Sequence, residues 1–200
     1  MKQLHQSGSA LLTTLMLLTI CMLLGATTAN MTLMQEKASR NARDRLLAFQ
    51  AAEAALTDAL HDLHTGRGTR QAFPALAGEC GAQQTAGLCF SDGTALWKTA
   101  ALSRLSVAYG SFTGRDFPHG AQLLVAEPPR YLIELLQIGE INTSPEQAPR
   151  QRYRITAIGF GPQRQQRVIL QTIESIQSTP DNSLRPDRRL SWREIADLDL

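Results

Sequence analysis

Asp58, His61 and His64 stand three residues apart in a stretch free of Gly and Pro. On a helix that spacing sets a carboxylate and two imidazoles along one side, the beginning of a divalent-metal site. A structural zinc needs four ligands, and no CxxC occurs anywhere in the chain. Without a further convergent ligand the three read as solvated polar residues near a helix end, and no metal is expected. The second reactive pair is Cys80 and Cys89, in the Gly-containing stretch ECGAQQTAGLC. Two cysteines in a loop outside an apolar segment suggest a disulfide in an oxidising compartment, with two free thiols as the alternative. Glu79 and Asp92 beside them read as loop acids, and Glu53 and Asp58 as an exposed helix face. Cys21 lies within an apolar run.

No phosphate-binding glycine loop, dinucleotide fingerprint or GxSxG elbow is present. No enzyme activity and no cofactor are expected. Twenty Lys and Arg against eighteen Asp and Glu leave a net charge of +2 over 200 residues. That balance gives no basic footprint for nucleic acid. The length suits one domain plus an anchor.

The element that positions everything else is at the N-terminus. No charged residue occurs between His5 and Glu36, and the most apolar part runs from Ala10 to Ala26. That approaches the ~20 residues that cross a bilayer as a helix. Thr27-Thr28-Ala29 could equally pass as the cleavage site of a secretory signal, so these residues leave signal peptide and anchor open. Beyond them, from Leu46, Phe49, Ala52, Leu56, Ala59 and Leu63 recur at gaps of three and four. That is the spacing of one helical face, widened by Leu60. Ala is abundant and favours helix, and Gly66 is a plausible stop. The pattern predicts one helix from about Ser9 to about His64, on the order of 80 Å long.

Residues 66–95 are rich in Gly, Ala and Thr and read as loop. ALWKTAALSRL could form a short helix, with Trp97 as a packing residue. Strand signals follow at 130–138, at QRYRITAIGFG with Tyr153, Ile155 and Ala157 on one face, and at QQRVILQTIESI with Val168, Leu170 and Ile176 on one face. GPQR at 161–164 is a turn. The tail begins as a polar linker, and RLSW could add a short edge strand. The expected fold is α+β, with three or four antiparallel strands packed on the apolar stripe of the long helix.

Gly8 before a small residue, the run ALLTTLMLLTICMLLG and the segment QEKASRNARDRLLAFQAAEAAL together resemble the PilX family of type IV pilus assembly proteins, which are minor pilins. The block from Arg43 to Leu56 is the most specific part. YRITAIGFG and RRLSWREI resemble the same family, whereas residues 65 to 128 carry no matching motif. The resemblance implies a pilin-like division of the chain. Residues 1–8 would be a leader removed by a prepilin peptidase between Gly8 and Ser9. Residues 9–34 would be the transmembrane half of the helix and 35–65 its amphipathic periplasmic half. A globular domain would span 66–177 and a C-terminal tail 178–200.

The implied location is the inner membrane with a periplasmic domain, then the pilus. The implied partners are other minor pilins, the assembly machinery, the peptidase and inner-membrane lipid. Major pilins carry Glu at the fifth mature position, where this chain has Thr13, and a methylated Phe where it has Ser9. Both departures point away from a major pilin, and the missing Glu is more tolerable in a subunit at the filament tip. A count of Lys37, Arg40, Arg43 and Arg45 against Lys2 alone points to the opposite membrane orientation. A type II secretion pseudopilin and a secreted binding protein are the competing readings.

Overall fold

In a computed structural model of the chain, the described residues are 9–65, 73–94, 96, 101–120, 125–136, 150–178 and 184–196. Helix α1 runs over Ser9–Thr65 with Gly25 as its only glycine and no proline to break it. The expected stop, Gly66, lies outside the described residues, as does Trp97. The chain divides into two compact units, the first ending at Arg43 and the second beginning at Asp44.

Among the described residues the first unit is helix alone. Its apolar side chains are exposed, from Leu11 at 76% to Met34 at 73%. Among the described residues no helix is long and apolar enough to cross a membrane. The described side chains of the apolar run extend only from Ala10 to Gly25, with Thr13, Thr14 and Thr19 among them, short of the ~20 residues a span takes, and the side chains of residues 26–30 lie outside the description.

The second unit wraps the remainder of α1 with a sheet. Among the described residues the strands are β1 (Leu88–Phe90), β2 (Val107–Ala108), β3 (Arg130–Leu136), β4 (Arg150–Phe160), β5 (Arg167–Ser178) and β6 (Leu184–Ile195). A short helix, α2 (Ala101–Leu105), precedes β2. The sheet order is β1-β3-β4-β5-β6, with β2 also paired to β3. The expectation of an all-antiparallel sheet is corrected here, because β1 pairs with β3 in parallel. A parallel pair needs a connection of a dozen residues or more, and residues 91–129 supply it. β1 and β2 thus share the outer edge of β3, β1 against Ile133–Leu135 and β2 against Tyr131 and Arg130.

Alternation sets which face is buried. Tyr153, Ile155 and Ala157 of β4 and Val168, Leu170 and Ile176 of β5 join the core against α1. The opposite face carries a second core of Leu132, Ile158, Phe160 and Ile169, closed by Leu102 of α2 and by Cys89. The edge strand of the tail is longer than expected: β6 is twelve residues long and antiparallel to β5, while residues 179–183, where the polar linker was expected, lie outside the described residues. The ladder shifts register between Ile173 and Glu174 and again between Ser175 and Ile176. Such bulges, with Pro186 and four Arg on the strand, are how an edge is protected from further pairing.

Candidate functional site

The helix face that the sheet covers is made of small residues. Ala52, Leu56, Ala59 and Leu63 are buried, and Phe49 is half-buried beside them. Ala48, Ala51 and Ala55 are buried too, although the sequence showed them only as good helix formers. Leu46, where the stripe was expected to begin, is 54% exposed. Alanines permit a close approach, and Gly159 of β4 completes it. A Cβ at 159 would lie 2.0 Å from the Ala48 carbonyl oxygen and 2.3 Å from the Ala52 nitrogen. Helix and strand backbones are therefore in direct contact.

The carboxylates of the same helix hold the body in place. Asp58 is fully buried, not on an exposed face as its sequence context suggested. Its Oδ2 accepts from the Gly110 N–H at 2.8 Å and its Oδ1 from the Thr113 hydroxyl at 2.5 Å. The carboxylate thereby organises the loop after β2. One turn on, Asp62 accepts from the Tyr131 hydroxyl at 2.8 Å. His61 and His64 remain half-buried at the helix end. Asp58 is spent on the loop, and among the described residues no group of three or more His, Cys, Asp or Glu could hold a metal ion. Glu53, also expected on an exposed face, is half-buried and accepts from the Trp192 indole N–H at 2.9 Å. Phe49 meets the same indole edge-to-face, with ring centroids 6.1 Å apart. Arg45 forms a two-oxygen pair with Glu194 at 2.6 and 2.8 Å. β6 is thus tied to α1 by three contacts on alternate residues.

Cys80 and Cys89 are joined by a disulfide. Flanking it, the Gly78 N–H donates to the Phe90 carbonyl and the Phe90 N–H to the Glu79 carbonyl. These bonds make a small two-stranded clip that feeds β1. Asp92 beyond it accepts from the Thr94 N–H and hydroxyl, and the hydroxyl bond chiefly holds its carboxyl below the usual range.

Across the sheet from Cys89, Glu134 is fully buried. Its Oε1 meets Arg154 at 3.3 Å, while its Oε2 has no hydrogen-bond partner among the described residues. Burial pushes its carboxyl up to about 7 against the opposing pull of Arg154. No signal in the sequence marked this residue, because one acid in an apolar strand looks like any polar-face position.

At the N-terminus Gly8 lies outside the described residues and Ser9 is the first residue of α1. Thr13, Thr14 and Thr19 each donate their hydroxyl to the backbone carbonyl three residues earlier, at 2.8 to 2.9 Å. Their polarity is therefore satisfied within the helix.

Residues 7–57 match the family description PilX N-terminal, and residues 64–174 match Type IV pilus assembly protein PilX C-term. The chain belongs to the PilX family of type IV pilus assembly proteins.

No curated protein and no solved structure matches the chain. The PilX assignment makes it a minor pilin acting in type IV pilus assembly, a structural component. The matches do not favour the pseudopilin or secreted-protein readings. They also correct the expectation that residues 65 to 128 carry no family signal, since the C-terminal match includes them.

Proposed function

We propose that this PilX-family minor pilin is made with a leader cut between Gly8 and Ser9. Residues 9–34 then hold it in the inner membrane, with the body from 44 onward in the periplasm. It joins other minor pilins in the complex that starts the pilus and stays at the tip. The observation that carries this reading is the first unit of α1. Leu11, Leu12, Leu15 and Met16 are at least 63% exposed, while Thr13, Thr14 and Thr19 turn their hydroxyls back onto the helix. An apolar surface with its hydroxyls satisfied belongs in lipid or in a packed bundle of helices.

Thr13 also bears on position in the filament. A carboxylate there would cost ~2.5–3.5 kcal/mol at the bilayer centre and would need a partner charge to leave the membrane cheaply. A hydroxyl bonded to Ala10 needs no such partner. That suits a subunit with no further subunit docked beyond it. The mature N-terminus of the protein from sheared pili and from inner membrane tests the reading. Ser9 is expected in both, and Gly8→Val should leave the leader attached. A terminus near Asn30 would mean a conventional signal peptide and would contradict the anchor.

A further inference from the structure

Where β3 begins and the β4–β5 hairpin turns, the body opens into a cleft of about 520 Å³. Among the described residues Arg130, Arg164 and Arg167 line it with one carboxylate, Glu127, and with Phe160. Arg164 grips Glu127 through two bonds, Nε to Oε1 at 2.5 Å and Nη2 to Oε2 at 3.0 Å. Arg130 is held differently. Its Nε donates to the Ser106 hydroxyl at 3.0 Å and its Nη2 to the Ser106 carbonyl. Both acceptors are neutral. Arg130 is half-buried, and that burial lowers its pKa despite the nearby Glu127. Arg130 thus keeps a charge that its neutral acceptors do not cancel, beside the Arg164–Glu127 pair, in a concavity with an aromatic wall.

A desolvated guanidinium beside neutral partners is incompletely compensated, and clefts of one sign concentrate counter-ions. Arg offers a planar fork matched to an oxyanion. Glu127 shows that a carboxylate fits this geometry, and its charge opposes a dianion such as phosphate more than a monoanion. We propose that the cleft is an oxyanion receptor whose occupant is an acidic side chain of a neighbouring subunit. The identity of the neighbour rests on the pilus reading above. Glu127 is the internal competitor: the incoming carboxylate takes the positive field that Glu127 otherwise holds in part.

The test uses the full chain in non-ionic detergent, with fluorescent hexaglutamate as the probe and free glutamate, inorganic phosphate and glycerol 3-phosphate as competitors. Hexaglutamate is expected to bind and to weaken with added salt. Arg130→Gln and Arg167→Gln should each weaken it about three- to tenfold, the range of a charge-assisted bond in a partly solvated site. Glu127→Gln should tighten it, because it removes the competing carboxylate. Arg45→Gln, outside the cleft, should leave it unchanged. Because Arg130 also anchors the segment after α2, Arg167→Gln is the variant to compare at equal helicity.

Equal affinity in wild type and Arg167→Gln would overturn the proposal, as would no binding at low salt. Phosphate or glycerol 3-phosphate competing at lower concentration than free glutamate would overturn the carboxylate assignment. Binding in micelles does not depend on where the subunit sits in a pilus, so failure here and failure of the tip placement are separate results.

Discussion

Gly159 of β4 lies directly on the backbone of Ala52 in α1, with only 2.3 Å between the Ala52 nitrogen and the point where a Cβ would stand. The Ala48 carbonyl is closer still, at 2.0 Å. Neither neighbour is a side chain that can rotate away, so Gly159→Ala must push helix and sheet apart. Overpacking of this kind costs about 1–3 kcal/mol, occasionally more. Gly25→Ala is the control, since nothing lies within 4 Å of its added methyl. Denaturant unfolding of the two variants should show a large loss for position 159 and none for position 25.

Asp58 makes a second prediction. It ties α1 to the loop after β2 through Gly110 and Thr113. Asp58→Ala strands two part-buried donors, at up to about 1–3 kcal/mol for an unsatisfied group. The loss should appear as faster hydrogen exchange at the Gly110 amide. Unchanged exchange there would show that the carboxylate does not hold the loop.

Much of this fold is legible in the sequence because it follows from period. The helix, the core faces of β4 and β5 and the turn between them all announce themselves through apolar spacing. β6 does not. The residues that tie it to α1 are Trp192 and Glu194, and its neighbours are Arg188, Arg189 and Arg193, so the strand reads as a charged tail. The parallel β1 is three residues long, too short for alternation to show. Asp58 and Glu53 look solvated from spacing alone, because their partners are 52 or more residues distant in sequence. The arginine cleft gathers residues from three separate segments, and no local pattern foretells it.

Glu134 gives the fold a pH dependence. Its carboxyl is raised on folding from 4.5 to about 7, so between those values the folded chain binds a proton that the unfolded chain has lost. The stabilisation from this group is therefore full below about pH 4.5 and fades as pH rises through 7. The span is on the order of 3 kcal/mol. Glu134→Gln should be more stable than wild type at pH 8, and the difference should vanish towards pH 5. A constant difference across that range would mean that Glu134 stays charged beside Arg154.

The Cys80–Cys89 bridge closes a loop nine residues apart in sequence, for which about 2–3 kcal/mol is expected. It pins the clip that leads into β1 and the second core around Cys89. Mass analysis of peptides from protein isolated without reductant should show the linked pair. Alkylation of both thiols without prior reduction would contradict an oxidising location for the body. Replacing both cysteines with serine should lower the unfolding midpoint.

Placement at the pilus tip is the central claim, and a tag at the exposed residue Ser111 tests it by electron microscopy of single pili. The account predicts label at one end only, few copies per pilus, and fewer surface pili when the protein is deleted. Label spread evenly along the shaft, at an abundance comparable to the major subunit, would contradict it.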